Sequence, residues 1–376
     1  MSPLLTVKLR AIDSLKPLEQ AQWNAWAEQD PDMGSPFLRV EFALLAGPVC
    51  PGAGLAVFHR GTEVVGYLPF QKRGGTLQPL GAPMNDYHGI IGPRGQRPSL
   101  EEAARCLGMP CVGVTAWVGE SEGLCALPSY RAVVPTGQTY DDWYAGRRQA
   151  FGKYFKDKER ARRSLEAEFG PLEVEVDLRD PGLLDKLLAL KSAQYARSGL
   201  HDIFACGWTV DLLKALLASP YPDFGARLCV LRAGGRICAL EYSLAGGTFY
   251  HFWFPAYYAD TGRCSPGILL SMETIRLMSQ QGFTDFDYGC GSDGYKRYFC
   301  DTSQVVHEGR VRQPRAQAAA RLGTNALARV AGRQRGQGLA DRIRRRWNVI
   351  EACEVTLSGR LSGIAAASRS AMNRRS

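Results

Sequence analysis

The residues with most scope for chemistry fall in a few short segments. Glu241 stands in the middle of the apolar stretch CALEYSL. A carboxylate in such a strand is either paired or set in a cleft, because unpaired burial is costly. Burial would raise its pKa toward that of a useful base; a structural hydrogen-bond partner is the plainer role. Asp287, Tyr288, Asp293, Tyr295 and Lys296 gather around the Gly-rich turn of FDYGCGSDGYKRYF. Such a turn can carry side chains to the end of a sheet. Asp86, Tyr87 and His88 in NDYHGIIG join a carboxylate, able to hold an ammonium or sugar hydroxyls, to an imidazole that titrates near neutrality. In TFYHFWF, alternation places His251 and Trp253 on one face, as a stacking wall for a sugar or, for Trp253, as core. Arg263–Gly267 (RCSPG) precedes the helical run ILLSMETIRL. A helix N-terminus offers forward-pointing N–H groups and a positive dipole end, which suits a phosphate group; Arg263 would add charge and Ser265 a hydroxyl.

The elements that must position these residues are readable from periodicity and turn residues. Residues 5–12 predict a strand, and residues 15–28 a helix with Leu18, Trp23 and Trp26 inward. LAVFHR and EVVGYLPF flank Gly61-Thr62 as a hairpin. A helix near 100–107 and short strands near 112–118 follow. Thr139 with Asp141 and Asp142 starts a basic amphipathic helix running to residue 168, either a solvated face or an electropositive rim for an anion. LEVEVDL reads as a strand, and residues 181–199 and 208–219 as helices, the first opening at Pro181 and ending at Gly199. Strands at 226–232, 235–244 and 248–254 are separated by Gly-Gly turns. A helix at 267–282 and a strand at 283–289 complete the pattern. LAVFHR-GTEVVGYLPF and LCVLRAGGRICALEYSL share a strand, Gly turn and strand, which suggests two similar α+β domains.

Composition narrows the class. The 376 residues are 45% hydrophobic and 22% charged, which excludes a disordered chain, a collagen-like fibre and a coiled coil. No run approaches the roughly 18 apolar residues of a membrane span, and the N-terminus does not read as a secretory signal, so a cytoplasmic location is expected. Residues 310–376 hold 15 Arg, no Lys and three acids, a charge of +12 out of a net +9, leaving −3 for residues 1–309. Basicity therefore belongs to the tail, and DNA binding by the whole chain loses its support. The eleven cysteines are scattered among apolar neighbours without a CxxC, which favours free thiols over disulfides and predicts no metal site.

The segment VLRAGGRICALEYSLAGGTFYHFWFPAYYADTGRCSPGILLSMETIRL, followed by FDYGCGSDGYKRYF, resembles the GNAT acyltransferase superfamily, and within it the CelD-like or BioF2-like branch associated with bacterial exopolysaccharide loci. PFLRVEF, GTEVVGYLPFQKR and NDYHGIIG extend the resemblance into the first half, and KYFKDKERARRSLEAEFG resembles the branch's basic connecting helix. The resemblance implies tandem GNAT-like domains of α+β class, each a mixed, largely antiparallel sheet flanked by helices. The expected divisions are a degenerate domain at 1–138, a connecting helix at 139–171, an acyltransferase domain at 172–310 and a basic tail at 311–376. It implies acetyl-CoA, or another acyl-CoA, as donor substrate and an amino sugar or lipid-linked glycan precursor in envelope synthesis as acceptor. Glu241, Tyr295 and Asp287 would then be catalytic, with Tyr295 as acid for the thiolate. Arg263, Ser265, Gly267 and Lys296 would hold the donor. Asp86, Tyr87, His88, His251 and Trp253 would meet an acceptor lying between the two halves. Pro266 stands where the superfamily's first loop glycine would, and removes a backbone donor. That departure leaves room for a Fem-like transferase using a charged tRNA. A third reading is a catalytically silent scaffold of a polysaccharide synthase.

In the tail, Leu339, Ile343, Trp347 and Ile350 make an apolar helix stripe flanked by Arg342, Arg344, Arg345 and Arg346. Such a helix could lie on anionic lipid at the inner membrane, dock on the acidic body or bind a phosphate-rich regulator; a partly disordered appendage is the plainer reading.

Overall fold

The computed structural model describes residues 4–119, 121–291, 294–314, 346–356, 358–361 and 363. The elements in chain order are β1 (Leu5–Arg10), α1 (Pro17–Gln29), α2 (Val40–Ala46), β2 (Ala53–Arg60), β3 (Glu63–Arg73), β4 (Thr76–Pro79), α3 (Leu100–Leu107), β5 (Cys111–Trp117) and β6 (Cys125–Val133). There follow α4 (Tyr140–Ala150), α5 (Gly152–Phe169), β7 (Leu172–Leu178), α6 (Pro181–Ser198), α7 (Trp208–Leu217), β8 (Phe224–Ala233), β9 (Arg236–Gly246), β10 (Phe249–Tyr257), α8 (Pro266–Ser279), β11 (Asp285–Cys290), α9 (Lys296–Phe299) and β12 (Thr302–Arg312). The chain forms two compact units: residues 1–126, 195–212 and 306–376 in the first, residues 127–194 and 213–305 in the second.

The first unit carries β1-β2-β3-β4-β5-β12 in spatial order. All neighbours are antiparallel except β4 and β5, which are parallel. The second unit carries β7-β8-β9-β10-β11-β6, antiparallel except for the parallel pair β10 and β11. The two sheets thus repeat one plan, which the paired hairpins of the sequence foreshadowed. Each takes its sixth strand from the stretch of chain that follows the other's fifth: β6 follows β5 but joins β11, and β12 follows β11 but joins β5. Neither sixth strand was anticipated: β6 carries Pro128 in its middle, and β12 is polar and weakly alternating.

Other expectations are corrected. The basic helix breaks at Phe151 (φ −133°, ψ 44°) into α4 and α5. Phe151 turns out of the helix to pack edge-on against Tyr298 with the Arg147 guanidinium over its ring, and Gly152 follows it. Leu18, expected inward, is 86% exposed in the first turn of α1, while Trp23 is buried and its indole N–H donates to the Leu38 carbonyl at 2.8 Å.

The tail is not a simple appendage. Residues 346–353 are helical and belong to the core of the first unit: Ile350, Ala352 and Cys353 are buried. Glu351, also buried, accepts hydrogen bonds from Arg310 at 2.6 Å and from Thr76 and Gln78 at 3.3 Å each. The buried Arg73 donates to the Ala352 carbonyl, and the Trp208 indole to that of Cys353. Of the expected apolar stripe, Ile350 faces the core and Trp347 is 36% exposed. Leu339, Ile343, Arg342, Arg344 and Arg345 lie outside the described residues.

Candidate functional site

The parallel pair β10–β11 is joined over only three rungs: Phe249 with Asp285, Tyr250 with Phe286, and His251 with Asp287. Past His251, β10 continues through Phe252–Tyr257 with a bulge between Phe252 and Phe254, while β11 pairs through Gly289 and Cys290 with β6. The two strands therefore separate, and the bulge bends β10 at the mouth of the opening. From the end of β10 the chain turns through a 3₁₀ segment, Ala259–Cys264, into the N-terminus of α8.

That N-terminus has no side-chain cap. Ser265 occupies the N-cap in a left-handed backbone conformation (φ 51°), which non-glycine residues seldom adopt, and its hydroxyl makes no capping bond. Its hydroxyl instead accepts from the Lys158 ammonium of α5 at 2.9 Å, and that ammonium lies over the Tyr154 ring. Burial lowers the Lys158 pKa. Pro266 contributes no N–H, and the Ile268 N–H bonds back to the Ser265 carbonyl, so Gly267 is left as the forward donor of the first turn. A Cβ on Gly267 would meet only Tyr257, at 3.8 Å. Lys158 adds the positive charge that the loop itself does not provide. The ion pair of Arg162 with Glu273 at 2.5 Å holds α5 against α8.

Of the residues expected at this anion site, Ser265 and Gly267 are present at the turn. Arg263 is not so placed: it is largely exposed and ion-paired with Glu168 of α5. Lys296 is buried, with its ammonium donating to the Cys290 carbonyl at 2.7 Å, where it holds the end of β11. Asp293, of the same Gly-rich turn, lies outside the described residues. Lys158 was not singled out because a helix with six Lys and Arg residues does not reveal in sequence which one turns inward.

Side chains directly opposite one another across strands share a face. Glu241 opposes Cys229 on β8, Ser243 opposes Phe252, and Ala245 opposes Tyr250, so these lie on one face. It is the face that α8 covers, since Leu269, Leu270, Ile275 and Met278 share its core with Tyr250, Phe252, Phe286 and Tyr288. Glu241 is 2% exposed, and its nearest polar partner is the Ser243 hydroxyl, which donates at 3.4 Å. Burial pushes its pKa up to about 8, slightly opposed by the Ser243 bond and by His251, so at pH 7 it is chiefly a neutral acid. Tyr288 and Ser271 of α8 share a hydrogen bond of 2.7 Å beside the opening, and Tyr295 packs edge-on to Tyr288 at 6.2 Å between centroids.

His251 lies on the other face. It opposes Leu244 on β9 and Asp287 on β11, and its Nδ1 is 3.0 Å from Asp287 Oδ2. The other Asp287 oxygen accepts from the Gly289 N–H at 2.8 Å. Both side chains are buried, His251 completely. Tyr242 shares this face and donates to the Leu213 carbonyl of α7 at 2.8 Å. The expectation of a surface wall made by His251 and Trp253 is corrected: His251 is enclosed and bonded to a carboxylate, and Trp253, 7% exposed at the bulge, packs on Tyr242 and Phe254.

Asp86, Tyr87 and His88 belong to the first unit. Tyr87 is buried, its N–H bonded to Asn85 Oδ1. His88 bridges in parallel to Trp117 of β5, and Ile91 bridges to Tyr67 of β3. Residues 88–91 thereby fill, in this sheet, the position where β10 and β11 separate in the other. Burial in an apolar setting pushes the His88 pKa down to about 3, so it stays neutral and the expected titration near pH 7 is absent. The helix between β4 and β5 also differs from α8, which lies between β10 and β11: the N-terminus of α3 is closed by a capping box of Ser99 and Glu102. At the two equivalent places of the repeated plan, the strand pair is filled and the helix is capped in the first unit, while both stand open in the second.

Among the described residues, no group of His, Cys, Asp and Glu is arranged to hold a metal ion, and no helix is long and apolar enough to cross a membrane.

Residues 152–297 match the family model described as an acetyltransferase (GNAT) domain. No protein of curated function matches the chain in sequence. Among solved structures, FemX is similar at 12% identity, covering 80% of this chain and 98% of that one with a TM-score of 0.47. L-PGS from Bacillus licheniformis is similar at 14% identity, with coverage of 85% and 97% and a TM-score of 0.45. A tandem GNAT protein from the clavulanic acid biosynthesis pathway is similar at 11% identity, with coverage of 82% and 98% and a TM-score of 0.43. Likenesses this distant assign no substrate. The matched segment runs from the start of α5 to α9 and contains both the separating strands and the uncapped helix, so the second unit carries a GNAT acetyltransferase domain and the protein is by class an N-acyltransferase.

Proposed function

We propose that this protein transfers the acetyl group of acetyl-CoA to the amine of an amino sugar or lipid-linked glycan precursor used in bacterial exopolysaccharide or envelope assembly. One observation carries the donor half of this reading. A parallel strand pair opens beside a helix whose N-terminus is uncapped and faced by Lys158. The opening gives the donor's extended pantetheine arm a place between the separating strands, and the helix end with Lys158 gives its pyrophosphate a positive partner. The acceptor half is supported only by the sequence resemblance to the exopolysaccharide-associated branch.

A second reading is aminoacyl transfer from a charged tRNA. Pro266 reduces the phosphate-binding capacity of the α8 turn, and α5 presents Lys153, Lys156 and Arg163 exposed on its outer side.

The test is calorimetric titration of acetyl-CoA into wild type and Gly267→Asp. Gly267 has room for a side chain, and an acidic residue in the first turn suits the helix dipole, so the variant should fold while repelling an anion. Saturable binding by wild type, lost in the variant, is the expected result. No binding of acetyl-CoA, with retention of aminoacyl-tRNA on a filter, would favour the second reading.

A further inference from the structure

We propose that Cys206 and Cys353 form a disulfide on exposure to hydrogen peroxide or an organic hydroperoxide, fastening the helical residues 346–353 to the turn that precedes α7. None of the residues assigned to the acyl donor takes part.

The cysteines of the chain are free thiols, but these two meet: the Cys353 thiol donates a hydrogen bond to the Cys206 sulfur. Trp208 ties their two segments together. Its backbone N–H donates to the Cys206 carbonyl at 2.9 Å, and its indole N–H to the Cys353 carbonyl at 3.0 Å. The Arg73 guanidinium lies over the Trp208 ring, 5.5 Å from its centre, and donates to the Ala352 carbonyl at 3.0 Å. Arg73 is 2% exposed and bonds to the carbonyls of Ala352, Pro51 and Lys72, so its charge stays available to the thiols beside it, Cys50, Cys353 and Cys206. A buried cation of this kind favours a thiolate.

The two thiols differ in role. Cys206 is partly exposed and stands just before the N-terminus of α7, whose dipole favours an anion. The bond from Cys353 and a second from Thr209 hold its pKa below the ordinary value, against burial and the Glu354 carboxylate. Cys106, also partly exposed, is instead raised by burial. Cys353 is 1% exposed, and its pKa is raised by the bond it gives to Cys206 and by burial. Cys206 is therefore the thiolate that meets peroxide, and Cys353 the neighbour that resolves the product without access to solvent.

The chemistry balances in two steps. The Cys206 thiolate sulfur bonds to one peroxide oxygen, the O–O bond breaks, and hydroxide leaves with the electron pair and takes up a proton as water. The Cys353 sulfur then bonds to the Cys206 sulfur, the S–O bond of the sulfenic acid breaks, and its hydroxyl leaves with the Cys353 proton as a second water. The two sulfurs together lose two electrons, and the peroxide gains them.

The experiment treats the folded, reduced full chain with hydrogen peroxide, blocks the remaining thiols with iodoacetamide in urea, and maps tryptic peptides by mass spectrometry before and after dithiothreitol. Cys206 falls in peptide 198–214 and Cys353 in peptide 347–360, each with a single cysteine. The expected result is one cross-linked pair of these peptides, separated by dithiothreitol. The thermal midpoint should rise by roughly 5 °C over the reduced protein, because the unfolded chain is then a closed loop. Cys353→Ala should leave Cys206 as a sulfenic acid that takes up dimedone. Cys206→Ser, a near-isosteric change at a partly exposed site, should leave Cys353 unmodified. Recovery of both peptides without a cross-link from oxidised wild type overturns the proposal. So does a bridge from either one to peptide 40–60, which holds Cys50, or a pair that forms only when peroxide is added in urea. A bridge that leaves the midpoint unchanged overturns the fastening of the helix.

Discussion

Replacing Glu241 by Gln should stabilise the protein at neutral and alkaline pH and leave it nearly unchanged near pH 4.5. Glu241 is 2% exposed on the α8 face of β9, with one long hydrogen bond from Ser243. Its carboxyl moves from the ordinary 4.5 to about 8 on folding, chiefly through burial. Because the folded pKa is the higher one, the native state holds an extra proton between those two values. Unfolding releases it, so stability falls as pH rises through that window and levels off above it. Each pKa unit is worth about 1.4 kcal/mol, which gives about 3 kcal/mol lost by pH 7 and an upper limit of about 5 kcal/mol by pH 8. Gln keeps the shape and supplies an N–H donor in place of the acid's O–H, but has nothing to ionise. Urea unfolding of both proteins at pH 5 and pH 8, followed by tryptophan fluorescence, measures the difference. The gap between variant and wild type should widen by about 2–5 kcal/mol between those pH values. A gap that stays constant within about 0.5 kcal/mol would mean the carboxyl is solvated or well paired, and the argument from burial would be wrong.

Other outcomes follow from the same geometry. Glu351→Ala should cost about 3–5 kcal/mol in thermal or urea unfolding, because it strands Arg310, only 15% exposed, without its carboxylate; a surface appendage would give less than about 0.5 kcal/mol. Lys158→Met should weaken acetyl-CoA binding about tenfold by calorimetry, about 1.4 kcal/mol, and the exposed Lys153→Met should leave it unchanged. His88→Phe should leave acetyl-CoA affinity at the wild-type value, since His88 is a neutral, buried residue of the other sheet; a tenfold loss would show that the segment matters to the donor.

Pattern and turn chemistry carried much of the fold. Gly-Gly turns flank β9, Pro181 and Gly199 bracket a helical run, and alternation in CALEYSL and TFYHFWF marks strands. These are local signals, encoded within a few residues, and the structure keeps them. The place of Glu241 in a strand was likewise legible, but its burial beside one long Ser243 bond was not: the sequence pointed to a paired or cleft carboxylate.

What the sequence left undetermined is everything that depends on which strands become neighbours. His251 and Asp287 are 36 positions apart, and only the parallel rung joining β10 to β11 makes them a pair. Lys158 is one of several cations on a helix until α5 packs on the turn before α8. His88 reads as a titrating site residue until its segment is drawn between β3 and β5 and dehydrated. Glu351 reads as one acid in an Arg-rich tail until Arg310, Thr76 and Gln78 surround it. Local propensity acts over a turn or a strand, whereas pairing, desolvation and charge compensation are set by contacts between distant segments. The class of elements is therefore written in the chain, and the identity of the working residues is decided by tertiary structure.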